Sequence, residues 1–173
     1  GDGTSWTFNS VASGFNRARD VVAGDFDLDG DIDLAGAARF DDELAWWENT
    51  AGNGSSWFKR SIGTLDGAER LQAVDLDFDG DLDVFASGSD GGEVAWWERT
   101  PGGWTRHDID NAVPDAGGLR AGDVDADGDL DLVYASVSVD QVLWAQNDPI
   151  HRTVFFAESV VGTEFADAAV AAD

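Results

Sequence analysis

The sequence predicts an all-β protein: four-stranded antiparallel sheets repeated along the chain and arranged as β-propeller blades. Three observations predict this. A nine-residue acidic pattern, D-x-D-x-D-G-D-x-D, starts at Asp25, Asp75 and Asp123, a period of 50 and then 48 residues. Two aromatic landmarks keep the same beat. Trp6-Thr7-Phe8-Asn9-Ser10-Val11 recurs as Trp57-Phe58-Lys59-Arg60-Ser61-Ile62, as Trp104-Thr105-Arg106-His107-Asp108-Ile109 and, more loosely, as Phe155-Phe156-Ala157-Glu158-Ser159-Val160. Leu44-Ala45-Trp46-Trp47-Glu48-Asn49 recurs as Val94-Ala95-Trp96-Trp97-Glu98-Arg99 and decays to Val142-Leu143-Trp144-Ala145-Gln146-Asn147. Finally, short apolar runs alternate with Gly, Asp, Asn, Ser and Pro. Four short strands in a unit of roughly 40–50 residues is the arithmetic of a propeller blade.

Residues 6–11 come first and read as an orphan outer strand. The first full unit follows, with strands at about 20–25, 32–38, 43–49 and 57–62. Its first two strands flank the acidic pattern. Runs such as Val21-Val22-Ala23 and, one period later, Val84-Phe85-Ala86 do not alternate cleanly, which suits inner strands covered on both faces. The third strand carries adjacent tryptophans. Successive strand residues face opposite sides, and a blade has a neighbour on each side. Trp46, Trp47, Trp96, Trp97 and Trp144 are therefore expected to fill the space between blades. Trp6, Trp57 and Trp104 open the outer strands and are expected to be partly exposed. The blades fall at about 20–62, 70–109 and 118–160. Ala168-Ala169-Val170-Ala171-Ala172-Asp173 matches Asp20-Val21-Val22-Ala23-Gly24-Asp25, giving an orphan inner strand at 168–173. Propellers have at least about four blades, so the expectation is a partial propeller or one part of a repeating assembly.

Five carboxylates in nine residues repel one another, and a polyvalent cation relieves that repulsion. Calcium takes about six to eight oxygen ligands. Positions 1, 3 and 5 can turn side chains inward, the glycine at 6 permits the sharp turn, position 7 offers its carbonyl and position 9 closes the site. The candidate ligands are thus the side chains of Asp25, Asp27, Asp29 and Asp33 with the carbonyl of Asp31; Asp75, Asp77, Asp79 and Asp83 with that of Asp81; and Asp123, Asp125, Asp127 and Asp131 with that of Asp129. Three Ca2+ sites are expected. Magnesium demands tighter octahedral geometry. The absence of cysteine, with only His107 and His151 as imidazoles, argues against zinc or copper. An EF-hand needs a bidentate Glu at position 12 and flanking helices, whereas position 12 is Gly36, Ala86 and Tyr134 and the flanks read as strands.

The composition bounds the rest. With 43% hydrophobic residues, eight Trp and ten Phe, the 173-residue chain supports a packed core. No apolar run is long enough for membrane insertion. The net charge is −25, and without a basic footprint no nucleic acid partner is expected. Extracellular modules bind calcium with Kd of about 0.1–1 mM, so an extracellular or cell-surface location is expected. Asp41-Asp42-Glu43 and Asp90 read as solvated loop acids. Glu48 and Glu98 recur after the tryptophan pairs and read as structural. His107 aligns with Arg60 and reads as a surface strand residue. No motif frames a catalytic nucleophile, and an enzyme is not expected. Asn53-Gly54-Ser55 fits an N-glycosylation sequon.

The D-x-D-x-D-G-D-x-D core at this period resembles FG-GAP/VCBS repeats, the calcium-bearing blades of integrin-alpha-type propellers and of many bacterial surface proteins. The resemblance covers nearly the whole chain. Leu34-Ala35-Gly36-Ala37-Ala38 and Val84-Phe85-Ala86-Ser87-Gly88 approximate the family's Phe-Gly and Gly-Ala-Pro elements. It implies a secreted adhesion or surface-assembly module whose partners are further blades, other copies of the chain, cell-surface proteins or glycans. Two alternatives stand beside this reading, the first of them also suggested by the resemblance. One is a propeller lectin using Trp6, Trp57 or Trp104. The other is part of a secreted polysaccharide-acting enzyme with paired carboxylates outside the acidic loops.

Overall fold

A computed structural model describes residues 3–147 of the 173. These residues form eleven strands and no helix: β1 (Ala18–Gly24), β2 (Asp33–Ala38), β3 (Glu43–Glu48), β4 (Phe58–Thr64), β5 (Ala68–Val74), β6 (Asp83–Gly88), β7 (Glu93–Thr100), β8 (Gly103–Asp110), β9 (Ala116–Gly122), β10 (Asp131–Ser136) and β11 (Gln141–Ala145). They make three antiparallel meanders: sheet 1 of β1-β2-β3-β4, sheet 2 of β5-β6-β7-β8, and sheet 3 of β9-β10-β11. Each acidic pattern closes the first hairpin of its sheet, with Gly24 opposite Asp33, Val74 opposite Asp83 and Gly122 opposite Asp131. The first strands β1, β5 and β9 pack side by side. The fourth strand expected within 118–160, and the inner strand expected at 168–173, lie outside the described residues.

Two apolar layers hold the sheets together, and strand alternation decides which side chain enters which layer. Between sheets 1 and 2 lie Phe26, Leu44, Trp46, Leu71, Val84 and Trp97. Between sheets 2 and 3 lie Leu76, Phe85, Val94, Trp96, Leu119 and Tyr134. Of each tryptophan pair, the first residue therefore faces the following sheet. The second faces the preceding one, as Trp97 does, and Trp47 takes that side in sheet 1.

Residues 6–11 correct the sequence reading. They form no strand, and Phe8 is 95% exposed. A single strand needs a hydrogen-bonded ladder to join, and its pairing partners in the repeat are not supplied by the described sheets. The chain after it lies instead against sheet 1, where Phe15 meets Trp47 edge-on with ring centroids 4.9 Å apart. Trp144 is a second correction. Trp46, Trp47, Trp96 and Trp97 are buried, but Trp144 is 46% exposed. It aligns with Trp46 and Trp96, so it faces the side of sheet 3 against which no described sheet packs. Val142 is 81% exposed there, although its counterparts Leu44 and Val94 are fully buried.

The loop acids read as solvated also make specific contacts. At the end of the sheets away from the acidic patterns, Asp90 pairs with Arg39, and Arg19 pairs with the buried Glu69. Gly67 N–H donates to Asp42 at 2.8 Å, and Asn16 N–H donates to Asp41 at 2.8 Å. Lys59 pairs with Glu43 at 2.6 Å. Several of these links join one sheet to the next, a role that the exposed loop positions did not signal.

Candidate metal centre

Each acidic loop is shaped by its own carboxylates. Position 1 accepts from the glycine N–H at position 6: Asp25 from Gly30 at 3.0 Å, Asp75 from Gly80 at 3.1 Å and Asp123 from Gly128 at 3.3 Å. Position 3 accepts from the N–H of position 5, and position 5 from that of position 7, throughout. The glycine has φ of 92°, 102° and 100° in the three loops, the left-handed region that glycine enters freely. Position 4 is left-handed as well, at Leu28, Phe78 and Ala126. A non-glycine residue there costs about 1–2 kcal/mol, and no sequence signal marked it.

Position 9 works differently. Asp33 is buried and accepts from Phe26 N–H at 3.1 Å and Asn49 N–H at 2.7 Å, one on each oxygen. Asp83 does the same for Leu76 at 3.0 Å and Arg99 at 2.8 Å, and Asp131 for Val124 at 2.9 Å and Asn147 at 2.8 Å. This aspartate therefore ties the loop to the end of the third strand.

The carboxylates brought within 4.8 Å of one another are Asp25, Asp27 and Asp29 in the first loop; Asp75, Asp77 and Asp83 in the second; and Asp123, Asp125 and Asp127 in the third. Asp33 and Asp131 stand outside their triads, and in the second loop Asp83 replaces Asp79. None of Asp31, Asp81 and Asp129 belongs to a triad; the expected contribution at that position was the carbonyl. One group was missed. The acids after the tryptophan pairs lie 21 residues beyond position 3, and Glu48 and Glu98 add negative potential at Asp27 and Asp77. In the third loop that place is held by Gln146, whose amide donates to Asp125 at 2.6 Å. The constant spacing was visible in the sequence, but spacing did not show that β3, β7 and β11 run alongside the loops.

The donor set fits a hard cation. All the donors are oxygen, and two of them are stranded. Asp75 Oδ1 and Asp81 Oδ1 are buried without a hydrogen-bond partner, an arrangement that costs about 1–3 kcal/mol or more for each group. Burial, with neighbouring carboxylates, pushes Asp81 up to about 6. Burial also pushes Asp83 up to about 7, against the two backbone N–H groups it accepts. Asp27, Asp33, Asp77 and Asp125 are raised, with burial the leading cause. At Asp131 burial works upward, but the N–H groups of Asn147 and Val124 prevail and the carboxyl falls below its ordinary range. A cation reverses these upward shifts by favouring the ionised form.

A family model described as an FG-GAP-like repeat matches the chain twice, over residues 25–86 and 75–134. No curated protein matches it. Both family matches begin on the first aspartate of an acidic loop.

Proposed function

The chain belongs to the FG-GAP-like repeat family, and from that premise we propose that it is a non-catalytic, extracellular calcium-binding module for adhesion or surface assembly. In this reading its sheets are propeller blades. The observation that carries it is the pair of stranded oxygens on Asp75 and Asp81, inside a loop the chain repeats three times. Bound calcium supplies charge neutralisation and oxygen coordination. The protein's share is to hold the ion with the Asp25, Asp75 and Asp123 triads, while position 9 keeps each loop on its sheet. Position 2 carries the effect outward. Phe26 and Leu76 are buried in the two layers between sheets, so ordering a loop also seats an anchor against the following sheet. Binding free energy then contributes to folding free energy.

The partners proposed are further blades of the same propeller or other copies of the chain. The exposed outer face of sheet 3, with Val124, Val142 and Trp144, supports this because its equivalents in sheets 1 and 2 are covered. Calorimetric titration of calcium into chelator-treated protein tests the reading. It should give three sites, with the third weaker because Gln146 replaces an acid and its triad is exposed. No heat of binding up to about 10 mM calcium, well above the range for extracellular modules, would rule the reading out.

A further inference from the structure

The protein carries ten Lys and Arg against 35 Asp and Glu, yet two of the ten cations, Arg60 and Arg99, meet in one groove. It lies between sheets 1 and 2 at the end that carries the acidic loops. Its volume is about 610 Å³, and its walls include Lys59, Arg60, Arg99, Trp46, Trp104 and Asp27. That size falls within the range of small-molecule sites, about 300–1,000 Å³. Two guanidinium groups converge in it. Arg60 lies 5.7 Å and Arg99 5.9 Å from the centre of the Trp46 ring, and Arg99 also lies 5.1 Å from the centre of Trp104. Like charges gathered on one indole call for a counter-anion. Arg60 has one in Glu48, at 2.6 Å, and Lys59 has Glu43. Among the described residues Arg99 forms no ion pair, and its guanidinium is placed by aromatic faces.

Arg99 is also a departure from the repeat, because the equivalent residues are Asn49 and Asn147. Its backbone N–H donates to Asp83 as those of Asn49 and Asn147 donate to Asp33 and Asp131, which leaves the side chain free for another task. A second, smaller cavity brings Asp27 and Asp81 close to the same guanidinium. In the ion-free protein these loop acids compete for it.

We propose that this groove binds the carboxylate of an acidic sugar, with Arg99 as the main anchor and Arg60 beside it. A sugar fits better than an acidic peptide strand. The groove runs from the edge strand β4, at Phe58 and Arg60, to Trp104 of the edge strand β8, and its walls offer aromatic surface beside the charge, on which a sugar ring stacks. The inference extends the adhesion reading by naming a ligand class. It rests on the calcium reading only for one coupling: calcium held at Asp27 removes negative charge from the groove wall, so ion and sugar acid favour each other.

The test is titration of a tetrasaccharide of alternating glucuronic acid and N-acetylglucosamine into the full chain, followed by tryptophan fluorescence, in calcium and in chelator. A neutral N-acetylglucosamine tetramer and a glutamate-rich peptide serve as contrasts. The expected result is saturable binding of the acidic sugar at least about tenfold tighter than either contrast. Arg99→Gln should weaken it about tenfold or more, the size of a lost charged hydrogen bond. Arg99→Lys should restore part of it, with both variants still unfolding in one cooperative transition. Equal binding of neutral and acidic sugars, tighter binding of the peptide, or indifference to Arg99→Gln would each overturn the proposal. Absence of sugar binding in both conditions defeats the groove. Sugar binding of equal strength with and without calcium supports the groove and counts against the calcium coupling.

Discussion

Asp33, Asp83 and Asp131 each use both carboxylate oxygens on backbone N–H groups, while Asp27, Asp77 and Asp125 at position 3 reach their triads more freely. The two positions should therefore respond differently to mutation. Asp83→Ala strands the N–H groups of Leu76 and Arg99, and about 1–3 kcal/mol for each should appear as lost stability in urea denaturation even with chelator present. Asp77→Asn should leave chelator stability unchanged or slightly raised, because it removes a repelling charge, and should weaken the second calcium site. Equal effects of the two substitutions in chelator would contradict these roles. The pH dependence follows from the same loop. Asp81 and Asp83 titrate near 6 and 7 in the ion-free fold, above their unfolded values. The folded state then holds more protons than the unfolded state between about pH 4 and 7, and stability falls as pH rises through that window. Ion-free protein should thus melt higher at pH 5 than at pH 7.5. Calcium-loaded protein should show the reverse order, because acid protonates the groups that hold the ion.

At the scale of the element, the acidic hairpin reaches toward both of its neighbours. Position 2 enters the layer with the following sheet at Phe26 and Leu76, and position 8 meets the preceding layer at Leu82 and Leu130. Val124 at position 2 of the third loop has no described sheet to enter and is 50% exposed. Phe26→Ala should cost about 3–5 kcal/mol, as for a fully buried aromatic, and should weaken calcium binding in the first loop. Val124→Ala should change stability by less than about 0.5 kcal/mol. Urea denaturation in calcium checks both, and a large loss at Val124 would contradict the assigned faces. The hairpins themselves were legible in the sequence, because dense alternating charge and a glycine at fixed offset have few structural solutions. The tryptophan pairs were legible too, since strand alternation must send Trp96 and Trp97 to opposite faces. The double duty of position 9 was not, because a carboxylate that clamps backbone and one that holds an ion look the same in sequence. Nor was the fate of residues 6–11: a matching motif says nothing about whether a ladder is there to receive it.

Across the whole molecule, three repulsive loops sit on sheets whose inner strands pack side by side, with no disulfide to brace them. A site with Kd of about 0.1 mM in about 1 mM calcium gains roughly 1.4 kcal/mol. Three such sites together approach about 4 kcal/mol, a large share of the 5–15 kcal/mol that holds an ordinary domain folded. Ion-free protein should accordingly be much less stable, with the loss felt at both described interfaces between sheets because Phe26 lies in one and Leu76 in the other. The sugar groove belongs to this scale as well, since its walls come from two sheets and the acids beside Arg99, Asp27 and Asp81, come from the acidic loops of both. The claim that the acidic loops stabilise the fold by holding calcium is tested most directly by thermal unfolding in about 2 mM calcium and in excess chelator at pH 7.5. A melting temperature several degrees or more higher in calcium is predicted; the same melting temperature in both would contradict the account.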